Sequence, residues 1–182
     1  MERRTALKLI AAGAMAERLE SAQHHLVQIA ANPSTYKLQF FTPQQDKLLD
    51  RLSDLIIPTD DHSPGASAAK VSQFIDLLAA SSSRSVQEQW TTGLKAVEAE
   101  AQARFQKPFL DLTPGQQDQI LAKMAANETN PSTNLERFFV RLKSLTIDGY
   151  YTSPIGIHKD LEYKGNTALA EFPGCTHPEH AV

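Results

Sequence analysis

The chain has 182 residues, a formal net charge of −3 and one cysteine. This length suits one domain with its tails, and a chain of this size can bury a core without cross-links. The hydrophobic fraction of 41% and the charged fraction of 21% are ordinary for a globular protein. The charge and the lack of a long basic block argue against nucleic acid as a partner. One cysteine leaves no disulfide to form within the chain.

The first sixteen residues have the pattern of a twin-arginine export signal. Two adjacent arginines precede a mild apolar run, and Ala-Met-Ala at 14–16 is a cleavage-site pattern. The apolar run is too short to span a bilayer. We therefore expect export in the folded state to the periplasm, with the signal cleaved or retained. The alternative is an ordinary N-terminal helix that carries two arginines by chance. The residues of the pattern are Arg3, Arg4, Leu7 and Lys8.

Apolar residues recur at helical spacing through most of the chain, and no segment alternates for long with the period of a strand. Three threonines, each followed three residues later by Gln or Glu, predict helix starts through capping boxes. Ser67, and Ser85 with Glu88, predict two more. The sequence therefore predicts an all-α fold, a small bundle of five or six helices in which Trp90 belongs to the core. The three threonines are Thr42, Thr113 and Thr133.

The helical pattern divides the chain into four parts. Residues 1–16 are the signal segment, 17–39 an N-terminal helix and linker, 40–150 the helical domain, and 151–182 an extended, irregular tail. The tail is too rich in aromatic residues for pure disorder, so we expect it to lie along another protein. The candidate interface residues are Tyr150, Tyr151, Pro154, Ile155, Tyr163, Phe172 and Pro173.

Sequence motifs for chemistry are mostly missing. The chain has no Gly-rich nucleotide motif, phosphate loop, serine-hydrolase elbow or haem-attachment motif, and its single cysteine cannot hold an iron–sulfur cluster. Cys175, His177 and His180 are weak candidate ligands for zinc or copper, and a closed site would need a fourth ligand. The alternative is that they are polar tail residues. For the acidic turn at 60–62, turn and cap chemistry is favoured over calcium binding.

Four stretches in a fixed order carry a family resemblance: "FFTPQQDKLLDRLSDLIIPTDDHSPGA", "VSQFIDLL", "FFVRLKSLTIDGYYTSPIG" and "EFPG". Together, from Phe40 to Gly174, they resemble the gluconate 2-dehydrogenase subunit 3 family. The ordered set behind a twin-arginine pattern is more specific than any single stretch.

The resemblance implies a non-catalytic accessory subunit. Members of this family partner a large flavoprotein of the glucose–methanol–choline oxidoreductase type, which holds FAD and oxidises a sugar, polyol or sugar acid. A cytochrome c subunit often takes the electrons. The small subunit carries the export signal for the flavoprotein and aids its maturation.

The resemblance thus implies no cofactor in this chain, FAD in the partner and haem c in a third subunit. Membrane association would be indirect or through the N-terminal segment. Two alternatives stay open from the residues: a metal-binding protein that uses the C-terminal cysteine and histidines, and a helical adaptor without a flavoprotein.

Overall fold

A computed structural model describes residues 36–165. Within this range the chain forms helices and no strands, which confirms the all-α prediction. The described α-helices are α1 (Pro43–Ile56), α2 (Val71–Ser81), α3 (Arg84–Phe105), α4 (Pro114–Ala125) and α5 (Asn134–Tyr151). A 3-10 turn at Phe109–Asp111 precedes α4, and a π-helical turn at Gly156–Asp160 follows α5. The expected signal at 1–16 lies outside the described residues.

The helix starts predicted at threonines are confirmed. At α1, the Thr42 hydroxyl accepts the Gln45 N–H at 3.3 Å, and the Gln45 amide oxygen accepts the Thr42 N–H at 3.0 Å. Thr133 and Glu136 exchange the same pair of bonds at α5. At α4, the Thr113 N–H donates to the Gln116 side chain at 3.0 Å. Each box satisfies backbone donors that the first helical turn leaves unpaired.

Glu136 is the most strongly bound of these capping groups. Its carboxylate accepts hydrogen bonds from the backbone of Ser132 and Thr133 and from the side chains of Ser132 and Asn127. These bonds, led by the one from Thr133, lower the pKa of Glu136 from 4.5 to about 2.

The capping roles predicted for two serines are wrong, although one of the two helices begins within one residue of the predicted Ser85. The Ser67 hydroxyl donates to the Asp50 carboxylate at 2.8 Å, and α2 begins four residues later, after Lys70 in a left-handed conformation. Helix α3 begins at Arg84, with Ser83 at the N-cap position, and Glu88 pairs with Arg84 instead of closing a box. Ser67 and Glu88, which were expected to take part in capping, each pair with another side chain instead.

Helix α5 is the centre of the bundle and packs against each of the other four described α-helices. Trp90 of α3 is buried, as predicted. Its ring meets Phe41 and Phe138 edge-on, at centroid distances of 5.9 and 5.7 Å. This geometry is favourable for aromatic pairs. The Phe138 ring lies directly over Gly93, where a side chain would collide with it, so the glycine permits close approach of α3 and α5.

The folded unit begins before the predicted boundary at residue 40. The fully buried Asp76 carboxylate of α2 accepts the backbone N–H groups of residues 39, 40 and 41 at 2.7, 3.0 and 2.8 Å. It also accepts the Tyr36 hydroxyl at 2.7 Å. Burial, followed by this bond, raises the pKa of Tyr36. Residues 36–39, expected as a linker, are therefore part of the domain, because a buried carboxylate needs donors.

Candidate partner-binding surface

The two tyrosines at the end of α5 face opposite ways. Tyr150 is fully buried; its hydroxyl donates to the Pro64 carbonyl at 2.8 Å and lies 2.7 Å from the Ser63 hydroxyl. It holds the loop before α2 against α5. The prediction that Tyr150 contacts a partner is therefore wrong, because α5 continues through Tyr151 and turns Tyr150 into the core. Tyr151, the next residue, is 38% exposed.

The chain after α5 makes a compact turn where an extended tail was expected. The N–H of Ile157 donates to the Ser153 carbonyl, and that of Leu161 to the Gly156 carbonyl, both at 2.9 Å. Gly156 is buried so closely against α5 that a Cβ atom would lie 2.1 Å from the Tyr150 carbonyl oxygen. The predicted tail boundary at 151 is thus too early. The sequence signal was weak because one irregular turn has no apolar period.

The acidic loop at 60–63 is joined to this turn. The Asp60 carboxylate accepts the N–H groups of His62 and Ser63 at 2.9 and 2.8 Å, and these bonds, led by Ser63, lower the pKa of Asp60. The His62 ring lies 2.9 Å from the Asp160 carbonyl oxygen, and this contact raises the pKa of His62. The Ser63 hydroxyl donates to the Asp160 carboxylate at 3.1 Å. Turn chemistry thus accounts for Asp60.

Large apolar side chains are exposed at this end of the bundle. Among the described residues, the exposed ones are Ile147, Tyr151, Leu161 and Tyr163, which we call the α5-end patch. The nearby Asp160 carboxylate raises the pKa of Tyr151, chiefly by hydrogen bonding to its hydroxyl group. Sequence analysis found the two tyrosines, but missed Ile147 and Leu161, whose exposure depends on the packing of neighbouring elements.

The other predicted site residues fall into two groups. Pro154 is exposed, and Ile155 is half-buried against the core. Phe172 and Pro173, with the candidate metal ligands Cys175, His177 and His180, lie outside the described residues. Within 36–165, no three potential metal-ligating side chains come together.

A groove of about 790 Å³ lies between α3 and α5. Gly93 and Phe138 are among its apolar lining residues, and Arg137 and Arg141 are among its polar ones. The Arg141 guanidinium donates to the Gln89 side chain at 2.5 Å, and Arg137 donates to the Ser132 carbonyl at 2.8 Å. We call this feature the α3–α5 groove. Its two walls are distant in sequence, so no local pattern predicted it.

A family model described as gluconate 2-dehydrogenase subunit 3 matches residues 43–174. The chain belongs to this family. The match begins with the first residue of α1 and includes both the α5-end patch and the α3–α5 groove. The family name describes one subunit of a dehydrogenase, which implies partner subunits.

The gluconate 2-dehydrogenase subunit 3 match extends past the described residues and includes Phe172 and Pro173, while the arginine pair at 3–4 precedes it. No curated protein and no solved structure matches the chain. None of the helices between residues 36 and 165 has the length and apolar character needed to cross a membrane.

Proposed function

We propose that the chain is the non-catalytic small subunit of a periplasmic, FAD-dependent dehydrogenase that acts on a sugar, glycoside, polyol or sugar acid. It binds the catalytic flavoprotein, assists its maturation and supplies the twin-arginine signal for its export. FAD belongs to the partner, and haem c to a third subunit that takes the electrons. The observation that carries this proposal is the family match over residues 43–174.

The α5-end patch supports the binding role. Large apolar and aromatic side chains gain free energy when a partner covers them, and tyrosine is enriched among the residues that dominate interfaces. The patch adjoins the point where the chain continues toward Phe172 and Pro173, which we include in the same interface.

Loss of two aromatic anchors is expected to weaken the complex. The chain, tagged and co-expressed with its flavoprotein, should co-purify with flavin absorbance. We expect Tyr151→Ala combined with Phe172→Ala to weaken binding by at least about tenfold, because truncation of one interface anchor typically costs more than 1 kcal/mol. The measurement is the flavin-to-protein ratio after affinity purification and gel filtration.

The matched control is Lys47→Ala combined with Gln119→Ala, two exposed positions on α1 and α4. This control should keep the full flavin ratio. Equal flavin ratios for the control and the aromatic double variant would contradict the proposed interface.

The export role is tested separately, at the arginine pair. Substitution of Arg3 and Arg4 by lysine keeps the charge but removes the pattern. We expect it to leave both this chain and the flavoprotein in the cytoplasm, because the partner depends on this signal. Arg18→Lys, outside the pair, is the control. The measurement is the flavoprotein content of the periplasmic fraction, and a normal content with the Arg3→Lys, Arg4→Lys variant would exclude the escort role.

A further inference from the structure

The α3–α5 groove carries positive charge without acidic partners. Arg137 and Arg141 are four residues apart and lie on one face of α5. Both donate to neutral oxygens, and neither forms an ion pair with a carboxylate of residues 36–165. Glu88, the acidic residue in the lining, is paired with Arg84 at 3.2 Å. An apolar segment that carries a carboxylate would suit this groove.

One face of α5 connects the groove to the end of the described chain. Val140 and Ser144 line the groove, and Ile147 and Tyr151 of the α5-end patch continue the same stripe at helical spacing. The Tyr163 N–H donates to the Ile157 carbonyl at 2.9 Å, so Tyr163 stays next to the turn that follows α5. The chain therefore continues toward residue 166 from this end of the bundle.

The chain that follows Gly165 has the required chemistry. It reads Asn-Thr-Ala-Leu-Ala-Glu-Phe-Pro-Gly, with Glu171 as its one charged residue between Leu169 and Phe172. We propose that residues 166–174 bind in the α3–α5 groove of their own chain. Phe172 packs on the apolar lining, and the Glu171 carboxylate pairs with Arg137 and Arg141.

The length of the segment allows this placement. Phe172 lies seven residue steps after Gly165, and in extended conformation these steps span about 23–25 Å. The ten residue steps of α5 from Arg141 to Tyr151 occupy about 15 Å. About 8–10 Å therefore remain for the step from Gly165 to the end of α5.

This contact belongs to the chain by itself and does not depend on the proposed function. It keeps the apolar face of α5 covered while the subunit is alone. If the flavoprotein binds Phe172, as proposed above, it must first displace the segment from the groove.

The chain contains two unique probes for a test. Trp90, its one tryptophan, lies beside Phe138 of the groove, and Cys175, its one cysteine, follows Phe172 by three residues. An energy acceptor attached to Cys175 of the full chain therefore reports its distance from Trp90. We expect efficient transfer in the isolated chain, independent of protein concentration. Transfer that rises with concentration would assign the groove to a second copy and overturn the proposal.

Charge reversal tests the pairing itself. We expect Glu171→Arg to weaken the contact by about tenfold and to lower transfer, and Arg137→Glu with Arg141→Glu to do the same. The three substitutions together should restore transfer, because the charges are then exchanged. Lys47→Glu on α1 is the control and should change nothing. Circular dichroism confirms that each variant is folded. Equal transfer in the unmodified chain and both reversed variants, or no recovery on combining them, would overturn the proposal.

Discussion

Replacement of Asp76 by alanine is expected to lower the free energy of unfolding by about 3–5 kcal/mol, near the upper end of single-substitution effects. The carboxylate is fully buried and accepts three backbone N–H groups and the Tyr36 hydroxyl. Its removal leaves these donors without an acceptor in a part of the domain that water reaches poorly. Urea unfolding followed by the fluorescence of Trp90 measures the effect.

The control for Asp76 is Asp118→Ala on α4, an exposed position where we expect a change within about 0.5 kcal/mol. Asp76→Asn should fall between the two, because it keeps one acceptor oxygen but places an amide NH₂ against N–H donors. In the alanine variant, amide exchange should rise first at residues 39–41. A free energy of unfolding unchanged from that of the Asp118→Ala variant would show that water replaces the carboxylate.

Gly93→Ala is expected to lower the free energy of unfolding by about 2–3 kcal/mol through overpacking. Alanine is the better helix former by about 1 kcal/mol, so an exposed site would show the opposite sign. Here the new Cβ atom would lie 2.0 and 2.3 Å from the Cδ2 and Cγ atoms of Phe138. The Phe138 ring cannot swing aside freely, because it packs edge-on against the buried Trp90.

Gly115→Ala provides a matched control on α4, because a Cβ atom there meets nothing within 4 Å. It should leave the stability unchanged or raise it by up to about 1 kcal/mol. Thermal and urea unfolding of the two variants measure the difference. If Gly93→Ala were as stable as Gly115→Ala, the result would contradict the close packing of the Phe138 ring over Gly93. Phe138→Leu should relieve part of the Gly93→Ala effect, which a double-mutant cycle detects.

Local rules account for what could be predicted. The all-α class, the starts at Thr42, Thr113 and Thr133 and the burial of Trp90 depend on apolar spacing and on bonds between residues three apart. Such partners are neighbours in sequence, so their pairing is visible before the chain folds. The family resemblance was also correct, because it rested on the order of the motifs and not on their contacts.

Three of the failed predictions share one cause: each depends on a contact with a residue that is distant in sequence, which no local pattern reveals. Asp76 binds Phe41 across 35 positions, and Tyr150 binds Ser63 across 87. Ser67 looked like a cap but found Asp50 on another helix.

The amino-acid sequence by itself determined the helical class and three of the helix starts, because these depend on residues within one or two turns of each other. It also determined the family of this protein, through the order of its motifs along the chain. Only the tertiary structure decided that Tyr150 is buried while Tyr151 is exposed, that Tyr36 belongs to the folded domain, and that two arginines face an apolar groove. Whether a side chain lies in the core, caps a helix or faces solvent depends on which groups from distant parts of the chain pack against it. That choice is made when helices pack, since each buried polar group must find a partner.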